Sequence, residues 1–129
     1  WETINENQEC IYDLKIARSN NGKWWHSEQE VAISLLQNEG GIAAPRIIKD
    51  GKHGYEMYFS VRNKQDYRTN PKNSYKIYSC DSNGENEKLE LEPSGDELMT
   101  AYPYLIQNED KLLMFYNEDF GNKKVIPGQ

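Results

Sequence analysis

The sequence predicts an all-β protein, a section of about two blades of a β-propeller. Two observations carry that expectation. The chain is a succession of short β-rich runs cut by turn residues. It also repeats itself. "AAPRIIKDGKHGYEMYFS" at 43–60 and "AYPYLIQNEDKLLMFYN" at 101–117 both place a proline early, pass a polar turn, and enter a run of Met, aromatic, aromatic. Pro103 follows Pro45 by 103 − 45 = 58 positions, and Met114 follows Met57 by 114 − 57 = 57. A second pair interleaves with the first: "LKIARSNNG" ends at Gly22 and "YKIYSCDSNG" at Gly84, 84 − 22 = 62 positions later. Self-similarity at a fixed period marks stacked supersecondary units, and this period suits propeller blades.

The elements follow in order. "IYDLKIARS" reads as a strand, ended by the turn "NNG" and followed by "KWW". "SEQEVAISLLQN" at 27–38 fits helical spacing at Val31, Leu35 and Leu36. It also contains "EVAISLL", which alternates as a strand, and its place in the repeat favours the strand. "PRIIK", the turn "DGKHG" and "YEMYFSVR" come next, then "SYKIYSC", "DSNG" and "KLELE". "PYLIQ", "NED" and "KLLMFYN" close the series. Asp-Gly and Asn-Gly are strong turn signals because both tolerate positive φ. These runs assemble into the outer half of one blade at 11–36, a full four-stranded antiparallel blade at 43–93, and the inner half of the next at 101–117. Incomplete blades expose strand edges and an apolar face, here including Ile16, Ile33, Leu105, Leu113 and Phe115. Association with a second copy, or with the missing blades, is the expected consequence.

Composition narrows the function. A chain of 129 residues holds one domain with a real core. A hydrophobic fraction of 36% and a mean hydropathy of −0.94 give a very polar surface, while nine Tyr and three Trp argue against disorder. The net charge is −6 and the longest basic cluster is Lys123-Lys124, which disfavours nucleic acid as a partner. No run approaches the roughly 18 apolar residues of a membrane span, so no membrane partner is expected and a cytoplasmic location is favoured. The chain starts at Trp1 without Met, which leaves a removed leader or an upstream region open. Cys10 and Cys80 lack metal or redox spacing and read as small semi-buried side chains. His26 and His53 have no partner at metal-ligand spacing and read as surface residues. Neither metal nor cofactor is expected.

Four segments carry a family resemblance: "YDLKIARSNNG", "EGGIAAPRIIKDG", "YEMYFSVRNKQDYRTNPKNSYKI", and "GDELMTAYPYLI" with the following "LLMFYN" and "DFG". In this order they resemble the C-terminal part of a bacterial five-bladed β-propeller family. That family is related to furanosidase-type glycoside hydrolases: arabinanases, xylosidases, levansucrases and invertases. The resemblance runs from Trp1 to Gly121. It implies four-stranded antiparallel blades and a carbohydrate ligand at the propeller rim. Two activities stay open under it: hydrolysis or transfer at a glycosidic bond, or a non-catalytic carbohydrate-binding or scaffold module completed by other blades or subunits. The chain departs from the family at Ala44, where Arg is usual, and at Ser94-Gly95-Asp96, where Gly-Trp-Asp is usual. "YNEDFG" replaces a Gly-rich ending.

In a propeller the loops entering the inner strands share one rim. Glu39 sits 45 − 39 = 6 residues before Pro45, and Asp96 sits 103 − 96 = 7 before Pro103. Glycoside hydrolysis uses two carboxyl groups, one protonated and one charged. Glu39 and Asp96 are therefore the catalytic candidates, the plainer alternative being acids solvated at turns. Arg62, Tyr67 and Arg68 lie between two strands of the full blade and read as a clamp for a sugar carboxylate or phosphate. Their alternative is a pair of surface arginines matched to acids such as Asp66. Tyr102 and Asn117 complete the substrate-contacting candidates. Tyr104, Tyr116 and Phe120 offer further rings to a sugar, or else pack between blades.

Overall fold

The computed structural model describes residues 3–4, 10–50, 54–95 and 97–119. Ten strands run through them: β1 (Thr3–Ile4), β2 (Cys10–Ile11), β3 (Leu14–Arg18), β4 (His26–Ile33), β5 (Glu39–Asp50), β6 (Gly54–Asn63), β7 (Lys76–Asp81), β8 (Lys88–Leu91), β9 (Met99–Asn108) and β10 (Lys111–Asp119). No helix occurs among the described residues, and every strand-to-strand ladder is antiparallel. The protein is all-β. β5 to β8 form a four-stranded meander; β3–β4 and β9–β10 are separate hairpins, and β1 and β2 make a short ladder.

Residues 27–38 resolve as strand β4 followed by a loop. Val31 and Ile33 pair with Lys15 and Leu14 of β3. Ile33 is 3% exposed, where the sequence reading left it on an uncovered face. It joins Ile42, Phe59, Val61 and Cys80 in the buried core, with Leu14, Leu35, Met57 and Tyr78 packed around them. This cluster fastens the β3–β4 hairpin to one face of the meander. Ile16 and Leu105 are half-buried, while Leu113 and Phe115 are exposed as expected.

The other face is covered by β9. Tyr58, Phe59, Ser60, Val61 and Arg62 are all buried, so the middle of β6 is enclosed on both sides. The Tyr102 N–H donates to Ser60 Oγ at 2.9 Å. The Thr100 N–H donates to the Tyr75 carbonyl at 3.0 Å. Ala101 and Pro103 are buried against this face.

The sequence repeat is a repeat of backbone. In β5–β6, Ala43 pairs with Ser60 and Arg46 with Tyr58, so Ala44 and Pro45 together face Phe59. In β9–β10, Ala101 pairs with Asn117 and Tyr104 with Phe115, so Tyr102 and Pro103 together face Tyr116. Two residues opposite one make a β-bulge. The residue before each proline is left-handed, φ 53° at Ala44 and 59° at Tyr102. A residue before proline normally prefers extended backbone. Paired residues on both sides of the bulge hold it there.

The turns repeat too. Gly22 and Gly84 both have positive φ, 72° and 76°. Ser19 Oγ accepts the Gly22 N–H, and Asp81 Oδ1 accepts those of Asn83 and Glu85. Asn21 Oδ1 also accepts the N–H groups of Lys23 and Trp24. That carries the first turn past "KWW", so strand β4 begins only at His26.

Candidate functional site

A cleft of about 430 Å³ opens where five segments meet. Arg62 comes from the end of β6, and Tyr67 and Arg68 from the connection to β7. Tyr102 comes from the β9 bulge, and Tyr12 from the link between β2 and β3. Ser74, Tyr75, Leu98, Met99 and Asp119 complete the walls. The structure thus gathers Arg62, Tyr67, Arg68 and Tyr102 of the expected substrate-contacting set.

Arg62 is not the loop or surface residue of either sequence reading. It lies within β6 and is 2% exposed. Its guanidinium sits between two rings, 4.9 Å from the Tyr12 centroid and 3.8 Å from that of Tyr67. It donates to the Cys10 carbonyl, to the Asn63 carbonyl at 3.0 Å and to Tyr12 Oη at 3.4 Å. None of the ion pairs among the described residues involves it. Carbonyl dipoles and ring faces therefore replace the carboxylate that usually accompanies a buried guanidinium.

Two glycines make this packing possible. A Cβ at Gly41 would stand 2.6 Å from the Tyr12 ring, and one at Gly40 would stand 2.8 Å from Arg62 Nη1. A bridge between Tyr12 and Gly41 fixes the approach, with the Tyr12 N–H donating to the Gly40 carbonyl at 3.1 Å.

Arg68 continues the stack outward. Its guanidinium carbon lies 5.2 Å from the Tyr67 centroid, and its Nε donates to Tyr67 Oη at 3.1 Å. Arg68 is exposed. The connection carrying both residues is built from local bonds. Asn70 N–H donates to the Asp66 carbonyl at 2.8 Å, and Asn63 and Asn73 join backbone to backbone and side chain to side chain. The arrangement offers a charged fork, stacked rings and a polar floor to one ligand.

Glu39 points elsewhere. It is 7% exposed, and Oε2 accepts the Leu36 N–H at 2.8 Å. Its neighbour is Glu87, with which it shares a hydrogen bond. Burial, then the Glu39 charge, then that bond push the Glu87 carboxyl up to about 7. Burial, then Glu87 and Glu39, raises the Tyr78 phenol as well. Neither acid lines the cleft. Asp96, the other catalytic candidate, lies outside the described residues, as do Phe120 and His53. Asn117 is exposed on β10 beside the bulge and is not a cleft residue; Tyr104 and Tyr116 are also exposed. Among the described residues no group of three or more His, Cys, Asp or Glu is placed to hold a metal.

Sequence reasoning passed over Tyr12, the Gly40-Gly41 pair and Glu87. "GG" beside a strand was the visible signal, since adjacent glycines in a strand mark close approach of another chain segment. No protein-family model, curated protein or solved structure matches this chain.

Proposed function

We propose that this chain is a section of a β-propeller of the furanosidase type, completed by further blades or subunits, and that it binds carbohydrate in the Arg62–Tyr67–Arg68 cleft. One observation carries the ligand reading: rings and guanidinium groups from separate segments converge on one concave surface. Sugar rings stack on aromatic faces, and fixed donors orient their hydroxyl and acidic groups. The bulged hairpin that occurs in β5–β6 of the meander and again in β9–β10 supports the propeller reading.

Glycoside hydrolysis through Glu39 and Asp96 is the second reading. Glu39 instead shares a hydrogen bond with Glu87, closer than the roughly 5 Å or more that separates the two carboxyl groups in glycosidic cleavage. That pair lies away from the cleft, so binding without cleavage is the reading we adopt.

Calorimetric titration against neutral, uronate-containing and phosphorylated oligosaccharides tests it. Binding is expected, and Arg68→Ala or Tyr67→Ala should each weaken it by about tenfold, the scale of a lost ring or charged contact. Wild-type protein that binds no glycan removes the carbohydrate reading.

A further inference from the structure

The repeat identifies one strand-to-strand join that is made inside the chain and whose two halves also occur separately. β6 pairs with β7 in the meander. β10 is the counterpart of β6, and among the described residues it pairs only with β9. β3 is the counterpart of β7. Arg18 pairs with His26 and Ala17 with Ser27, as Ser79 pairs with Lys88 and Tyr78 with Leu89. Among the described residues β3 pairs along its length only with β4.

We propose that two copies of this chain associate by antiparallel pairing of β10 of one copy with β3 of the other, rebuilding the β6–β7 join. The internal join sets the register. Tyr58 faces Ser79, Phe59 faces Tyr78 and Val61 faces Lys76. Transposed along the repeat, Phe115 faces Arg18 of the second copy, Tyr116 faces its Ala17, and Glu118 faces its Lys15. That register places opposite charges across the join, a guanidinium beside an aromatic ring, and a small residue opposite a large one. The first two are stabilising cross-strand pairings.

The turns supply an independent template. The Gly84 turn packs on β4, where a Cβ at Gly84 would stand 2.9 Å from the Ala32 carbonyl oxygen. The equivalent Gly22 turn of the second copy then lies over β8 of the first. It brings Trp24, 74% exposed, toward that strand. One association thus covers the aromatic residues of β10, the tryptophan turn and the outer strand of the meander. β10 and β3 are different surfaces, so the contact closes into a ring or continues as a filament.

This inference rests on reading the two hairpins as half units, not on the carbohydrate ligand. Sedimentation equilibrium of the full chain across the micromolar range tests it, with tryptophan emission recorded on the same samples. Concentration-dependent association with a blue shift is expected, and the shift should shrink in Trp24→Phe. Lys15→Glu or Glu118→Lys alone should weaken association by about tenfold, and the double reversal should restore it. A monomer at every concentration overturns the proposal. So do single reversals without effect, or a double reversal no better than the singles. Glycan titration of these variants keeps the readings apart, since neither Lys15 nor Glu118 lines the cleft.

Discussion

Phe59 in β6 and Tyr116 in β10 occupy the same place in their hairpins, each opposite a left-handed residue and a proline. Phe59 is fully buried, whereas Tyr116 is 40% exposed. The backbone plan is common to both hairpins, so bulge, register and turn are encoded locally and need no enclosure. Enclosure comes from neighbours. β6 has β5 and β7 at its sides, the β3–β4 hairpin on one face and β9 on the other. Among the described residues β10 has β9 alone. One motif therefore forms the centre of a core in one place and an outer surface in the other.

The strongest test of that contrast substitutes matched positions. Phe59→Ala should cost about 3–5 kcal/mol, the range for removing a buried aromatic side chain. Tyr116→Ala should cost under about 0.5 kcal/mol, as for a surface change. Urea unfolding at concentrations where the chain is monomeric measures both, and equal costs would show that β10 is enclosed after all.

A smaller effect separates the units by pH. The Glu87 carboxyl is raised from 4.5 to about 7 in the folded protein. Between those values the folded state holds the extra proton, so stability falls as pH rises through the window and stays low above it. Glu87→Gln should flatten that dependence and leave the variant more stable than wild type at pH 8. Melting temperatures against pH measure the first effect. Amide exchange should place the change in β5 to β8 and spare β9–β10. A wild-type profile that rises between pH 4.5 and 7 would contradict the assignment.

The smallest effect probes what the hairpins share. Glycine relieves the left-handed strain at Ala44 and Tyr102 but adds freedom to the unfolded chain. Ala44→Gly and Tyr102→Gly should each stabilise by about 0.5 kcal/mol. Thermal melts should show similar gains despite the difference in surroundings; a loss at either site would mean that its bulge is held by the side chain.

Strand order, the turn glycines and the repeated proline motif were legible because each is a local signal with a fixed spacing; the bulge at each proline was not. The cleft was legible only in part. Tyr67 and Arg68 stand out as an aromatic–basic pair, but the burial of Arg62 depends on Tyr12, brought across by the glycine approach from 62 − 12 = 50 positions away. Arginine composition points to the surface, and no spacing rule predicts two rings closing on it. Glu87 was hidden for the same reason. Its carboxyl matters because Glu39 lies beside it, and that contact is tertiary. The burial of Ile33 likewise required knowing that the meander lies against β4.

The guanidinium held between Tyr12 and Tyr67 has a consequence for acidity. Arginine keeps its proton throughout the range in which proteins stay folded. The wall of the cleft thus carries a permanent positive charge, while the Glu87 carboxyl near Tyr78, raised to about 7, changes charge around neutrality. Acidification would retune the strength of the scaffold and leave the charge of the cleft wall unaltered. Any pH dependence of the proposed ligand binding below neutrality would then arise elsewhere than in the arginine at the base of the cleft.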